Sequence, residues 1–246
     1  MLRALILGWL LGASPAWAGL PEDAAPLVPA GVVAPRGAPD AARGAVVWLH
    51  GSYDAATEAR PEDPVWLRPL LARGYELWHF DRPTRPDPLA EGGARLLQGV
   101  AALRAGGYRR VVVAGFSRGA FIGLAALARP ELVDAVAAVS PAAHGRRVER
   151  RGEALAAFGA LMDAGGDVGL ALVLLRDDPW DPGPEARAAL ARASAPGRAG
   201  RLLLLDRPEG LEGHMGSFEP EFAARFAGCL AAFLDGAAPA SACAGR

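Results

Sequence analysis

A strand, a sharp turn and a helix follow one another around one serine, and this order constrains the fold more than any other part of the sequence. Residues 110–114 (RVVVA) form a β-branched apolar run, and residues 117–129 are mostly small and apolar. Between them Ser117 lies in the pattern G-x-S-x-G, a turn that holds a serine in a strained conformation at the carboxyl edge of a sheet. Glycine is expected at positions 115 and 119 because a Cβ there would strike the crossing strand or helix. The pattern predicts that Ser117 is a nucleophile; a serine that only caps a helix is the alternative.

The first eighteen residues have the composition of a secretory signal peptide. One positive charge, Arg3, precedes an apolar run from Ala4 to Leu11, and the pattern Ala-Trp-Ala at 16–18 predicts cleavage before Gly19. A retained amino-terminal anchor is the alternative, but the run is shorter than the roughly 18 apolar residues of a membrane span. The sequence therefore predicts an exported bacterial protein, periplasmic or secreted, with no stable membrane insertion after cleavage.

The predicted mature chain, residues 19–246, is long enough for one α/β domain with a full core. Loss of Arg3 takes the formal net charge from −1 to −2, which indicates neither a nucleic-acid partner nor binding to an anionic membrane surface. All 26 basic residues are arginine, so a lysine base and a Schiff base are excluded. Asparagine is also absent, which excludes N-linked glycosylation.

The two cysteines, Cys229 and Cys243, both lie near the carboxyl terminus. In an oxidising compartment a disulfide would tie the tail to the last helix. Closing so short a loop contributes about 3 kcal/mol in the chain-entropy model. Two free thiols are the alternative, and export favours the disulfide.

Apolar strands alternate with helical segments along the rest of the chain, which predicts a mostly parallel sheet covered by helices on both faces. An apolar patch at 27–33 either wraps the surface or adds an edge strand. The segment 141–169 is predicted to form a small cap over the site. The predicted strands are 45–50, 75–80, 110–114, 133–139, 170–175 and 201–205, and the predicted helical segments are 63–73, 89–105, 117–129, 146–161 and 218–234.

Ligands of such a sheet gather beyond the carboxyl ends of its strands. His50-Gly51-Ser52 follows the first core strand, and its glycine lets the backbone turn. The N–H groups of Ser52 and Arg118 are therefore predicted to form an oxyanion hole for a tetrahedral intermediate. His50 is assigned a structural role that orients this loop.

A histidine is expected as the base because its pKa lies near working pH. His214 is the candidate because it lies in a glycine-flanked loop after the last strand and before the last helix. His79 lies inside a strand, which favours a core or surface role. His144 follows the fourth strand and stays open as a substrate contact.

The acid is expected after the strand 170–175, which completes the order Ser…Asp…His. Asp178 is favoured, Asp181 is the alternative, and Asp177 is expected to pair with Arg176. The acid fixes the tautomer of the imidazole and stabilises the imidazolium.

These features together resemble the α/β-hydrolase superfamily over residues 44–235. The resemblance rests on His50-Gly51, on the sequence GFSRG at 115–119, on Asp178 and on His214. It implies an α/β-hydrolase fold with eight strands, the first two usually antiparallel and not evident in this sequence. It also implies acyl chemistry, although members include esterases, lipases, thioesterases, peptidases and dehalogenases.

The sequence therefore predicts an exported serine hydrolase that cleaves an ester or related acyl bond of a small molecule. No metal-ligand spacing, phosphate-binding glycine loop or dinucleotide motif is present, so no cofactor and no metal are expected. An acyltransferase, thioesterase or peptidase on the same triad and a catalytically silent binding protein are the alternatives. The acyl chain, the leaving group and the oligomeric state stay open.

Overall fold

The computed structural model forms one sheet between two layers of helices. The predicted signal peptide lies outside the residues that the structure describes. Those residues are 27–29, 39–52, 63–82, 88–145, 147–181, 183–198 and 200–243.

In these ranges seven strands pair in the order β1-β3-β2-β4-β5-β6-β7. Strands β2 to β7 are parallel, and β1 pairs antiparallel with β3 at one edge. The strands are β1 (Leu27–Pro29), β2 (Gly44–Leu49), β3 (Tyr75–Phe80), β4 (Val111–Phe116), β5 (Ala135–Val139), β6 (Gly169–Leu174) and β7 (Leu202–Asp206). The described residues thus contain one antiparallel strand, β1, where the superfamily resemblance implies two.

Helices cover both faces of the sheet, which explains why β2, β4 and β6 are buried along their whole length. Residues of α1 and α6 pack in one apolar layer, and residues of α2 to α5 pack in the other. The helices are α1 (Arg68–Ala72), α2 (Leu89–Ala105), α3 (Ser117–Gly123), α4 (Arg151–Ala164), α5 (Pro184–Ser194) and α6 (Pro220–Leu234).

The structure confirms the predicted alternation and corrects several bounds. β3 and α2 begin and end as predicted. β5 starts at Ala135 and not at Val133, because Val133 N–H is bound in a turn by the carbonyl of Arg129. The helix after Ser117 is α-helical only as far as Gly123 and continues as a 3-10 helix. Helix α5 was not predicted.

Two attachments hold α6 in place. Cys229 and Cys243 form the predicted disulfide, with their Cα atoms 5.4 Å apart. At the end of α6 the buried carboxylate of Asp235 accepts hydrogen bonds from Arg43 Nε at 2.6 Å and Tyr75 Oη at 2.9 Å. Among the described residues, no helix has the length and apolar character that crossing a membrane requires.

Glycines at the start of α3 let this helix touch the backbone of the sheet. A Cβ built on Gly115 would lie 2.7 Å from the backbone nitrogen of Ala120. A Cβ on Gly119 would overlap the carbonyl oxygens of Leu49 and His50 at the end of β2. Both glycines are therefore required by close packing, as the sequence predicted.

Gly119→Ala is expected to lower the free energy of unfolding by about 3 kcal/mol or more, because the added methyl group has no space between α3 and β2. Gly228 in α6 provides a matched control, since a Cβ there meets no atom within 4 Å. Gly228→Ala should raise stability by up to about 1 kcal/mol through helix propensity. Urea unfolding measures both, and an unchanged midpoint for Gly119→Ala would contradict the expectation.

Candidate active site

Ser117 lies at the sharp turn from β4 into α3. It is the first residue of α3, and its φ of 55° falls in the left-handed region that side chains rarely adopt. The preceding residue, Phe116, is extended and ends β4. The carbonyl of Ser117 accepts a 3.0 Å hydrogen bond from Ala142 N–H, which joins the turn to the segment after β5. The structure thus places Ser117 in the strained turn that the pattern predicts.

The loops after β6 and β7, here called the acid loop (175–183) and the histidine loop (207–216), pair again beyond the sheet. Arg176 and Glu212 form a parallel bridge, and Gly213 N–H donates to the Arg176 carbonyl at 2.7 Å. Asp178 lies two residues after Arg176, and His214 lies two residues after Glu212. Because each residue follows the bridge by two positions, the bridge brings Asp178 and His214 side by side.

Asp178 and His214 are joined by hydrogen bonds. His214 Nδ1 lies 2.9 Å from Asp178 Oδ1 and 2.8 Å from Oδ2. The Asp178 side chain is 0% exposed, and its Oδ1 also accepts a 2.8 Å hydrogen bond from Trp180 N–H. A carboxylate in this position favours the tautomer with the proton on Nδ1 and leaves Nε2 able to accept another.

Two aromatic rings pack against the imidazole of His214. The Phe116 ring lies 4.8 Å away between centroids, and the Trp180 ring is stacked at 5.3 Å with an angle of 28°. Because Phe116 directly precedes Ser117, this packing places the imidazole beside the serine turn. No hydrogen bond joins Ser117 Oγ to His214 in the described part of the chain; such contacts often tighten only when substrate binds.

Asp181 has a different partner. Its Oδ2 lies 3.2 Å from Nη1 of Arg187 on α5, and both side chains are 3% exposed. Burial raises the pKa of Asp181, and the positive charge of Arg187 opposes this shift. Arg187 also donates to the Pro141 carbonyl, so this ion pair connects the acid loop, α5 and the end of β5.

Asp177 is exposed and has a φ of 49°. The expected ion pair between Asp177 and Arg176 is absent from the described residues, so that expectation was wrong. Asp178 is the aspartate of the three that hydrogen-bonds His214.

The residues predicted for the oxyanion hole border the serine turn. A Cβ built on Gly51 would lie 3.2 Å from the Phe116 ring and 3.4 Å from Ser117 Cβ, and Ser52 is exposed at the next position. Arg118 is the second residue of α3, so its backbone N–H has no acceptor within its own helix.

Arg82 holds the loop 50–52, here called the oxyanion loop, from behind. Its Nη2 donates to the carbonyl of His50 and, at 3.0 Å, to the carbonyl of Gly51. In a trans peptide the C=O and N–H groups point in opposite directions, so fixing the Gly51 carbonyl also fixes the direction of Ser52 N–H. Arg82 was not predicted from the sequence, although an arginine two residues past the carboxyl end of β3 is a signal for such a role.

The other histidines have partners of their own. His50 is buried, and its Nδ1 lies 2.6 Å from the Gly51 carbonyl. His79 Nε2 lies 2.8 Å from Asp63 Oδ1. His144 lines the cavity described next.

The segment 141–169 contains a 3-10 turn (Val148–Arg150) and α4. Its first half, the acid loop and the start of α5 line an open cavity of about 230 Å³. The role of this segment as a cap over the site stays a prediction. Among the described residues, no group of three or more His, Cys, Asp or Glu side chains is placed to hold a metal ion.

Several solved structures are similar to this chain. Esterase Pf2001 of Pyrococcus furiosus is 19% identical, with 78% of this chain and 80% of that chain covered and a TM-score of 0.56. A monoacylglycerol lipase of Paleococcus ferrophilus is 14% identical, with coverage of 80% and 95% and a TM-score of 0.55. An acetyl ester-xyloside bifunctional hydrolase of Caldicellulosiruptor lactoaceticus is 14% identical, with coverage of 85% and 87% and a TM-score of 0.57. No protein-family profile and no curated protein sequence matches the chain.

At these identities the likeness concerns architecture. The neighbours share a parallel sheet flanked by helices with this chain, whose serine turn follows β4. The chain therefore has the α/β-hydrolase fold.

Proposed function

We propose that this protein is a serine hydrolase that cleaves carboxylic esters of small molecules. The observation that carries the proposal is the hydrogen bonding of Asp178 to His214 beside a strained serine turn at Ser117. Similar solved structures include esterases and a lipase, which favours esters over other acyl substrates. Export stays a prediction from residues 1–18, and the disulfide is compatible with it.

In the first half of the reaction Ser117 Oγ attacks the ester carbonyl carbon while His214 Nε2 takes the hydroxyl proton. The negative oxygen of the tetrahedral intermediate accepts hydrogen bonds from the N–H groups of Ser52 and Arg118. The C–O bond to the alcohol then breaks, and His214 gives the proton to the leaving oxygen. An acyl group remains bonded to Ser117.

In the second half a water molecule attacks the acyl carbon, and His214 takes one of its protons. A second tetrahedral intermediate forms on the same donors. The bond to Ser117 Oγ breaks, the proton returns to the serine, and the carboxylic acid leaves. Asp178 keeps its hydrogen bonds to the imidazole ring and stabilises the imidazolium.

The purified protein should react with a fluorophosphonate probe at Ser117, because a serine activated by a neighbouring base forms covalent adducts. Ser117→Ala should lose labelling and the hydrolysis of 4-nitrophenyl esters. Ser194→Ala is the matched control, since Ser194 is the last residue of α5 and donates to the Ala191 carbonyl in the same helix. Labelling that survives in Ser117→Ala would refute the assignment.

Asp178→Asn should lower kcat by about 10³- to 10⁴-fold while the protein stays folded, because the amide favours the wrong imidazole tautomer. Asp181→Asn leaves the buried Arg187 without its counter-charge and should lower the free energy of unfolding by about 3–5 kcal/mol. Ester hydrolysis and thermal unfolding of both variants separate the two roles. A folded Asp178→Asn protein with wild-type kcat would place the acid elsewhere.

Arg82→Met should lower kcat by about 10- to 100-fold with a smaller change in KM, because Ser52 N–H loses its fixed direction toward the developing oxyanion. Arg82→Lys should restore part of this loss. Arg104→Met is the matched control: Arg104 also donates to a backbone carbonyl, that of Leu132 at 2.7 Å, but at the amino edge of the sheet. Arg104→Met should affect stability alone, and wild-type kcat in folded Arg82→Met would argue against the positioning role.

A further inference from the structure

The cavity between the segment 141–169, the acid loop and α5 is lined by residues that contact the candidate site. Trp180 lines it and also stacks on the His214 ring. Ala143 lines it as well, and its carbonyl accepts a 2.6 Å hydrogen bond from Nη1 of Arg118, the residue after the nucleophile. The cavity is thus one side chain away from His214 through Trp180 and one side chain away from the serine turn through Arg118, and neither Ser117 nor His214 lines it.

Four arginines line this cavity, against one carboxylate. Asp181 is balanced by Arg187, and Arg150 Nε binds the exposed Glu153 at 2.8 Å. In the described part of the chain no carboxylate lies in ion-pair distance of the other two, Arg147 and Arg151. The cavity thus carries an excess of positive charge. We call it the arginine pocket; its charged lining is Arg147, Arg150, Arg151, Asp181 and Arg187.

His144 lines the same wall and lies near several positive charges. Burial lowers the pKa of His144, and the positive charges of Arg150, Arg118 and Arg147 lower it further, with Glu153 opposing them. The charges beside His144 are thus mostly positive.

The rest of the lining is apolar, with Ala154, Leu155 and Ala186 beside the face of Trp180. One water needs roughly 10–15 Å³ of such volume, so the cavity of about 230 Å³ has room for several non-hydrogen atoms. This is room for a short carbon chain that ends in a charged group. Arginine forks bind carboxylates and phosphates in two-point hydrogen bonds, which suits such an end group.

Resting on the proposed ester hydrolysis, we propose that the arginine pocket binds a negatively charged end group of the substrate. The preferred substrate is then an anionic ester, with a carboxylate or phosphate a few carbons from the scissile bond. Arg147 and Arg151 contribute the charge that selects it, and Trp180 covers its carbon chain.

The test compares esters of equal length that differ in charge. On the acyl side these are mono-(4-nitrophenyl) glutarate and 4-nitrophenyl pentanoate, and on the alcohol side 4-acetoxybenzoate and its methyl ester. The wild-type protein should favour one anionic ester about tenfold or more in kcat/KM, and this preference should fall as salt is added. If the acyl-side pair shows this preference, the acyl group enters the pocket. If the alcohol-side pair shows it, the alcohol group enters the pocket. A phosphate-bearing analogue in the same arm identifies the preferred anion.

Arg147→Gln/Arg151→Gln should reduce the ratio of anionic to neutral kcat/KM by about tenfold, which corresponds to about 1.4 kcal/mol. Arg109→Gln is the matched control, because Arg109 is exposed just before β4 at the opposite edge of the sheet. A wild-type ratio near one in both arms, or a ratio that the double variant leaves unchanged, would overturn the proposal.

Binding of free glutarate to Ser117→Ala protein, measured by calorimetry, separates this proposal from the proposed function. If no ester is hydrolysed, ester hydrolysis is refuted, and glutarate binding that weakens in the double variant still supports the pocket. Absence of glutarate binding in that case would overturn the pocket as well.

Discussion

The backbone contact between α3 and the end of β2 sets the geometry of the candidate site. Gly119 lies against the carbonyl groups of Leu49 and His50, so the serine turn and the oxyanion loop share one rigid junction. Backbone atoms at such a contact have little freedom to shift, because the interior is close-packed. The bridge between the acid and histidine loops adds a second fixed junction at the same edge. The backbone positions that carry the side chains of these loops are therefore fixed.

The sequence predicted the parallel sheet, the serine turn and the loops that carry Asp178 and His214. Topology explains this success, because a loop that follows a buried parallel strand must begin at the carboxyl edge of the sheet. The separation of Asp178 from Asp181 needed the structure, since both aspartates follow the same strand. The bridge between the acid and histidine loops directs Asp178 toward the imidazole of His214. Arg187 on α5 instead binds Asp181.

Helix α5 was not predicted from the sequence because its buried face includes a charged residue. Arg187 lies inside, beside Ala188, and a buried arginine obscures the hydrophobic periodicity that indicates a helix. The charge is tolerated because Asp181 pairs with it and the Pro141 carbonyl accepts from it. The guanidinium carbon also lies over the Phe158 ring, 5.4 Å from the ring centroid. Pro141 and Phe158 lie far from Arg187 in sequence, so these two contacts have no local signal.

Guanidinium groups hold the loops around the site by donating to backbone carbonyls. Arg82 holds the oxyanion loop and Arg118 holds Ala143, in a chain that contains no lysine for this purpose. An ammonium group loses its proton near pH 10.4, roughly two units below a guanidinium. Loops tied by arginine keep their donors throughout the alkaline range. Alkaline pH therefore does not remove the donors that hold these two loops, whereas it would neutralise a lysine in the same place.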